Sequence, residues 1–254
     1  MTTSTSGSLH QSQSATIRHD LRKEVALGAW RMVDLGLTTG LDSGDISLFD
    51  RDAGLIYALP APSSRLPIRS WKDVRPEDVS VTDASGTALA GSFTEPTVEL
   101  PMHLSIYQAR PEVSAIVHTH AEDSQVFAAA ERDIPTATID SYTRAGFGPI
   151  RCGKFGVVAS VELGENMVAA LGEHSKAALM ARHGAVAIGP DLDDALFTAT
   201  VVEKAARQAM KVASLGEEPE QLTLSHIFDQ ATAQDIESGR VLLDTQTVTL
   251  QRLA

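Results

Sequence analysis

A chain of 254 residues, 43% hydrophobic and 21% charged, is long enough to bury a core and has the composition of an ordinary globular protein. Its formal net charge of -12 argues against nucleic acid and against an anionic membrane surface, both of which are bound through Lys and Arg. No run nears the roughly 18 apolar residues of a membrane span, the polar N-terminus has no apolar signal core, and Cys152 is the single cysteine, so a cytoplasmic protein without internal disulfides is expected.

Residues 1–15 are polar, without apolar periodicity, and read as a disordered tail, leaving 16–254 as one domain. Ile17, Leu21, Val25, Ala29, Met32 and Val33 recur at helical spacing, which predicts a helix over 17–37 with Gly40 just past its end. Asp45 to Phe49 and residues 54–58 read as strands, Pro60 to Pro67 as a loop, Asp78 to Thr82 as a strand and 83–86 as a turn. A helix is predicted from Glu99 to Ala109, with Pro101 tolerated in its first turn. Ser114 to His120 reads as a buried strand ending in polar residues, and 121–131 as a short helix. Beyond it come a strand at 150–158, a helix at 166–171 and strands at 177–182 and 185–188. The long helix from Leu192 to Leu215 opens with Asp191, Asp193 and Asp194 at its positive end, and a terminal strand is predicted within 240–250. Loose alternation of strands and helices predicts an α/β or α+β domain, with helices on both faces of a mixed sheet.

The strongest chemical signal is His118-Thr119-His120 at a strand end. Side chains at i and i+2 share one face of a strand, so both imidazoles can point at one ion, and imidazole suits Zn²⁺ and its first-row neighbours. His183, followed by Gly184 and set between apolar strands, is the natural third ligand. Glu99 opens the helix that leads into this strand and is placed to act as a base; the alternative is a first-turn acid that merely complements the helix dipole. His103, one helical turn later, either orients Glu99 or packs in the core, and packing is the expectation.

Together these residues resemble the class II aldolase/adducin family. The resemblance rests on Pro96 to Tyr107, on Arg110 to His120, on Ala181 to Gly189, on the helix with Ala195 and Glu203, and on the glycine loop Gly44-Asp45-Ile46-Ser47. It implies a three-layer αβα domain of the α/β class with a central mixed, largely antiparallel sheet, and a homotetramer with active sites near subunit interfaces. It also implies metal ligation by His118, His120 and His183, proton transfer by Glu99, and substrate contacts from Gly44, Asp45 and Thr97. Sugar-phosphate aldolases of the family usually carry Asn at position 45 and two serines before the acid, where this chain has Asp45, Thr97 and Val98. The segment Pro60 to Arg65 also lacks the usual Thr-Gly phosphate cradle, although Arg65 could bind an anion. The expectation is therefore a metal-dependent lyase that cleaves a C–C bond of a small hydroxy-carbonyl substrate through an enolate, with Zn²⁺, or else Mn²⁺ or another divalent ion, as the electron sink. The alternative is a decarboxylase of a hydroxy or aromatic carboxylic acid. An epimerase is disfavoured by Glu99, where epimerases carry Asp, although Asp140-Ser141-Tyr142 lies near the place of their second acid. An adducin-like scaffold is disfavoured because all three histidines are present.

Overall fold

Strands that alternate buried side chains to two apolar faces need cover on both, and the architecture follows from that. The computed structural model describes residues 16–39, 43–61, 70–89, 92, 94–244 and 248–252. The tail at 1–15, the helix stop at Gly40 and the loop residues Pro62, Ser63, Ser64 and Arg65 lie outside the described residues. The strands are β1 (Gly44–Asp50), β2 (Leu55–Ala58), β3 (Ser80–Asp83), β4 (Ala115–Thr119), β5 (Arg151–Gly153), β6 (Ala177–Met180), β7 (Gly184–Gly189), β8 (Val241–Asp244) and β9 (Thr249–Arg252). The helices are α1 (His19–Asp34), α2 (Leu100–Ala109), α3 (Glu122–Ala129), α4 (Ile139–Arg144), α5 (Val161–Leu171), α6 (Leu192–Ser214) and α7 (Gln230–Glu237).

The first seven strands form one sheet in the order β3-β2-β1-β4-β7-β6-β5. All its pairings are antiparallel except β5 with β6. Ala115, Val117, Ala185 and Ala187 point to one face and pack with Val25 and Met32 of α1 and Leu192 and Leu196 of α6. Ile116, Val186 and Ile188 point to the other and pack with Met102 and Ile106 of α2 and Leu163 and Met167 of α5. Helix–sheet–helix layering and a mixed, largely antiparallel sheet are thus as the sequence and its resemblance imply.

Four elements differ from expectation. α1 ends at Asp34, because the Gly36 N–H donates to the Val33 carbonyl at 3.1 Å and the Leu37 N–H to the Met32 carbonyl at 2.9 Å, the two bonds of a Schellman stop. β5 ends at Gly153 rather than running to Val158, because its one neighbour runs out: Gly153 pairs with Met180, the last residue of β6. α5 starts at Val161 rather than Asn166, capped by Ser160, whose hydroxyl accepts the Leu163 N–H at 3.1 Å. The predicted terminal strand is two strands, a β8–β9 hairpin that forms its own sheet.

Candidate metal centre

β4 and the turn between β6 and β7 bring three imidazoles to one end of the central sheet. His118 lies in β4 and His120 just follows it. β7 is the hydrogen-bonded neighbour of β4 and begins at Gly184, so His183 enters beside them. The ring centroids are 4.8, 4.9 and 4.9 Å apart. One donor nitrogen from each falls within 4.8 Å of the others, a group that could hold a metal ion. His118 Nδ1 lies 2.9 Å from the Ala185 carbonyl oxygen. A carbonyl only accepts, so Nδ1–H donates and Nε2 keeps its lone pair. His118 Nε2 is 3.0 Å from His120 Nε2. Burial, reinforced by the neighbouring His118 and His183, pushes His120 down to about 3, so it is neutral at pH 7. Two buried atoms here, Glu99 Oε2 and His183 Nδ1, have no hydrogen-bond partner among the described residues. Unsatisfied polar atoms are costly, and a bound cation with its ligands relieves that cost. The donor set therefore fits a divalent ion that favours nitrogen.

The surrounding elements fix these rings. A Cβ on Gly184 would lie 2.2 Å from the Thr119 carbonyl oxygen and 3.1 Å from the His118 ring, so only glycine lets β7 approach β4 this closely. α3 holds the His183 turn from one side: Gln125 Nε2 donates to the His183 carbonyl at 2.8 Å, and the Arg182 N–H donates to the Ala128 carbonyl at 2.8 Å. α3 itself has no side-chain cap of its own. Glu203 of α6 supplies one, accepting the N–H groups of Asp123 and Ser124 at 2.9 Å each. A carboxylate at a helix N-terminus satisfies orphan donors and the dipole together, and here it anchors the segment directly after His120.

Glu99 precedes the first residue of α2 and is 6% exposed. Its Oε1 lies 3.1 Å from His183 Nε2 and 3.6 Å from His118 Nε2. Burial pushes the carboxyl up, but the His183 hydrogen bond and His118 outweigh it, and the net shift is downward. Asp45 is a strand residue, as the sequence pattern predicts. It lies within β1, opposite His118 in the register, and is 4% exposed. Its Oδ2 accepts the Thr97 hydroxyl at 2.5 Å. Its Oδ1 is 2.9 Å from His103 Nε2, a close polar contact whose geometry falls short of a straight hydrogen bond. Burial raises its carboxyl, yet His103, then His118 and Thr97, bring it down to about 2. Thr97 is buried too, and its Oγ1 accepts the Glu99 N–H at 3.2 Å. Gly44, at φ +91°, places its Cα where a Cβ would be 2.5 Å from the His118 carbonyl oxygen. Val98 is 57% exposed.

The sequence alone pointed to core packing for His103 and gave no role to Ser47 or Tyr107. His103 Nδ1 lies 2.7 Å from Ser47 Oγ, which lies 2.8 Å from the Tyr107 hydroxyl. The signal was present as spacing: i and i+2 on a strand, i and i+4 on a helix. Asp140 pairs with Lys204 at 3.1 Å and is exposed, while Tyr142 stacks edge-on against Phe147. Neither contacts the histidines among the described residues.

A helix-covered mixed sheet with three imidazoles and a carboxylate converging at its end defines an α/β protein with a candidate metal centre. The chain belongs to the class II aldolase and adducin family, because residues 24–210 match the Class II Aldolase and Adducin N-terminal domain. It is 34% identical over 197 residues to a 5-methylthioribulose-1-phosphate/5-deoxyribulose-1-phosphate aldolase of Rhodospirillum rubrum, covering 78% of this chain and 83% of that one. It is 30% identical over 176 residues to an L-ribulose-5-phosphate 4-epimerase of Salmonella paratyphi B, covering 65% and 74%. A solved L-fuculose 1-phosphate aldolase superposes with a TM-score of 0.76 at 26% identity, covering 88% of this chain and 99% of that one. With aldolases as relatives in sequence and structure, the chain is a class II aldolase-type carbon–carbon lyase.

Proposed function

We propose that residues 16–254 act as one domain that cleaves a C–C bond of a small hydroxy-carbonyl substrate in a metal-dependent aldol reaction. The observation that carries this is the Glu99 carboxylate 3.1 Å from His183 within the histidine triad. In this reading His118, His120 and His183 hold one divalent ion, Zn²⁺ first and Mn²⁺ second. When bound, the ion supplies a Lewis acid that polarises the substrate carbonyl and draws the electron pair of the breaking bond toward oxygen. The chain does the rest. The proton-bearing Nδ1 of His118, tied to the Ala185 carbonyl, keeps its ring in the orientation that presents Nε2. As the C–C bond breaks, the carbinol O–H passes its proton to the Glu99 carboxylate and its C–O becomes a carbonyl. The electron pair stays with the other fragment, and Glu99 delivers a proton to that carbon. The downward shift of Glu99 leaves it ionised at pH 7, ready to accept the proton it later returns. Gly44 and Thr97 shape the wall beside Glu99 on the substrate side of the sheet, and Asp45 stands behind Thr97. We further assign a homotetramer in the cytoplasm.

The Thr97 hydroxyl is donated to Asp45, and the Val98 side chain offers no hydrogen bond, so among the described residues the side chains of this wall present no free donor to a phosphate dianion. That observation favours a substrate without phosphate here, and it keeps a decarboxylase of a hydroxy or aromatic carboxylic acid as the second reading. The test is a screen of metal-loaded protein against ketose 1-phosphates, free hydroxy-ketones, hydroxy acids and aromatic carboxylates, with detection of aldehyde and CO2. Aldehyde release from an unphosphorylated hydroxy-ketone, abolished by a chelator, is the expected result. CO2 without aldehyde moves the assignment to the decarboxylase. Preference for a ketose 1-phosphate removes the substrate argument, and turnover that survives chelation removes the metal.

A further inference from the structure

β1 and α2 are joined by two polar rungs. Two residues of strand advance about 6.8 Å and four residues of helix about 6 Å, so Asp45 and Ser47 meet His103 and Tyr107 in pairs. Asp45, Ser47, His103 and Tyr107 are 4%, 0%, 0% and 3% exposed. The rungs are tied together through the His103–Ser47 contact at 2.7 Å, and the Tyr107 hydroxyl also donates to the Ser47 carbonyl at 3.0 Å. A polar cluster this deep in an apolar layer is costly to build, and in it Asp45 Oδ1 and His103 Nε2 face each other without a straight hydrogen bond.

Its order points toward Glu99. The Glu99 N–H donates to Thr97 Oγ1 at 3.2 Å, and the Thr97 hydroxyl donates to Asp45 Oδ2 at 2.5 Å. Asp45 Oδ1 faces the His103 imidazole at 2.9 Å. A hydroxyl that accepts the N–H two residues on makes a local turn, and this turn sets the backbone of the residue that opens α2. The Thr97 hydroxyl donates to Oδ2 and the His103 ring nitrogen faces Oδ1, so a carboxylate presents an acceptor to each. The amide of Asn would turn its NH2 against one of them.

We propose that Asp45 and His103 form a positioning pair that, through Thr97, sets the Glu99 carboxylate against His118 and His183. The proposal rests on Glu99 as the proton-transfer group. Asp45 works from behind Glu99 and does not contact the substrate.

The test compares Asp45→Asn, His103→Gln and His103→Leu with the parent protein in metal content, kcat and KM. Gln places an amide donor near the position of Nε2, whereas Leu fills similar space without one. Misplacing a reacting group by about 1 Å costs about 100-fold in rate. Asp45→Asn and His103→Leu are therefore expected to lose about 100-fold in kcat with KM and metal stoichiometry near parental values, while His103→Gln recovers most of the loss. A rise in KM with kcat preserved in Asp45→Asn makes Asp45 a substrate contact and overturns the proposal. Equal losses in His103→Gln and His103→Leu reduce His103 to packing and overturn it as well. A crystal structure of Asp45→Asn tests the placement without turnover. Movement of Glu99 Oε1 off its 3.1 Å contact with His183 supports the pair, and an unmoved carboxylate removes it. If the parent protein turns over no hydroxy-carbonyl, the functional reading fails while this crystallographic test still decides the pair.

Discussion

At the scale of single residues, the proposed reaction gives the histidines the work of holding an ion and Glu99 that of moving a proton. Elemental analysis of the purified protein is expected to find about one divalent ion per subunit, and replacing His118, His120 or His183 by Ala is expected to strip it. Metal retained in full by His183→Ala would take His183 out of the centre. Glu99→Gln keeps the shape and removes the base, so metal content should hold while turnover falls by roughly 10²–10⁴-fold. Metal lost along with activity would instead make Glu99 a ligand, a role its 3.1 and 3.6 Å contacts also permit. Asp45 makes a prediction in pH. Its carboxyl sits at about 2 in the fold against an ordinary 3.8. A depressed carboxylate adds stability that is in place above about pH 4 and is lost as pH falls through the folded value. Urea unfolding should therefore show a drop in stability between pH 5 and pH 2.5 that is smaller in Asp45→Asn. An identical drop in both proteins would show that the Asp45 charge is not held by the fold.

At the scale of elements, what could be read in the sequence was what depends on local pattern. The Ile116–Val117–His118 strand, the helix after Glu99 and the long helix after Asp191 appeared where periodicity and capping residues placed them. Features set by neighbours did not. Nothing local tells that β5 stops at Gly153, since its length is fixed by the end of β6. Nor does Ala121 announce that α3 borrows its cap from Glu203, about 80 residues on. The histidine triad was legible because HxH carries its own geometry, whereas the Asp45–His103 contact was not, because it needs the register of β1 against α2. Gly184 belongs to this scale. With a Cβ 2.2 Å from the Thr119 carbonyl, Gly184→Ala should push β7 from β4, cost about 1–3 kcal/mol and weaken metal retention. An unfolding midpoint and a metal content both equal to those of the parent would mean that β7 has room to spare.

At the scale of the molecule, the acidic surface is broken by apolar residues after β5. Phe155, Val157, Val158 and Val161 are 54, 61, 48 and 63% exposed. The Arg182 guanidinium lies 6.0 Å from the Phe155 ring, which puts this patch beside the turn that carries His183. Clustered apolar exposure of this kind is covered in stable assemblies. Native mass spectrometry is expected to give a tetramer, and Phe155→Ser with Val157→Ser to shift it to smaller species. A parent protein that is monomeric at micromolar concentration would refute the assignment.

The strand order carries a consequence for how the protein comes to be. His118 and His120 are presented by one short stretch of chain, but His183 joins them only when β7 docks between β4 and β6. The whole run from α3 to β6 must first be looped out and closed, and closure of so long a loop between non-local strands is slow. In a nascent chain the two adjacent histidines form an incomplete clamp, so an ion that needs all three, as proposed, is not expected to nucleate the fold. Uptake should come last. In stopped-flow refolding with a zinc indicator, capture is expected to follow the slowest change in Trp30 and Trp71 fluorescence. Capture that precedes it would mean that the metal templates the sheet.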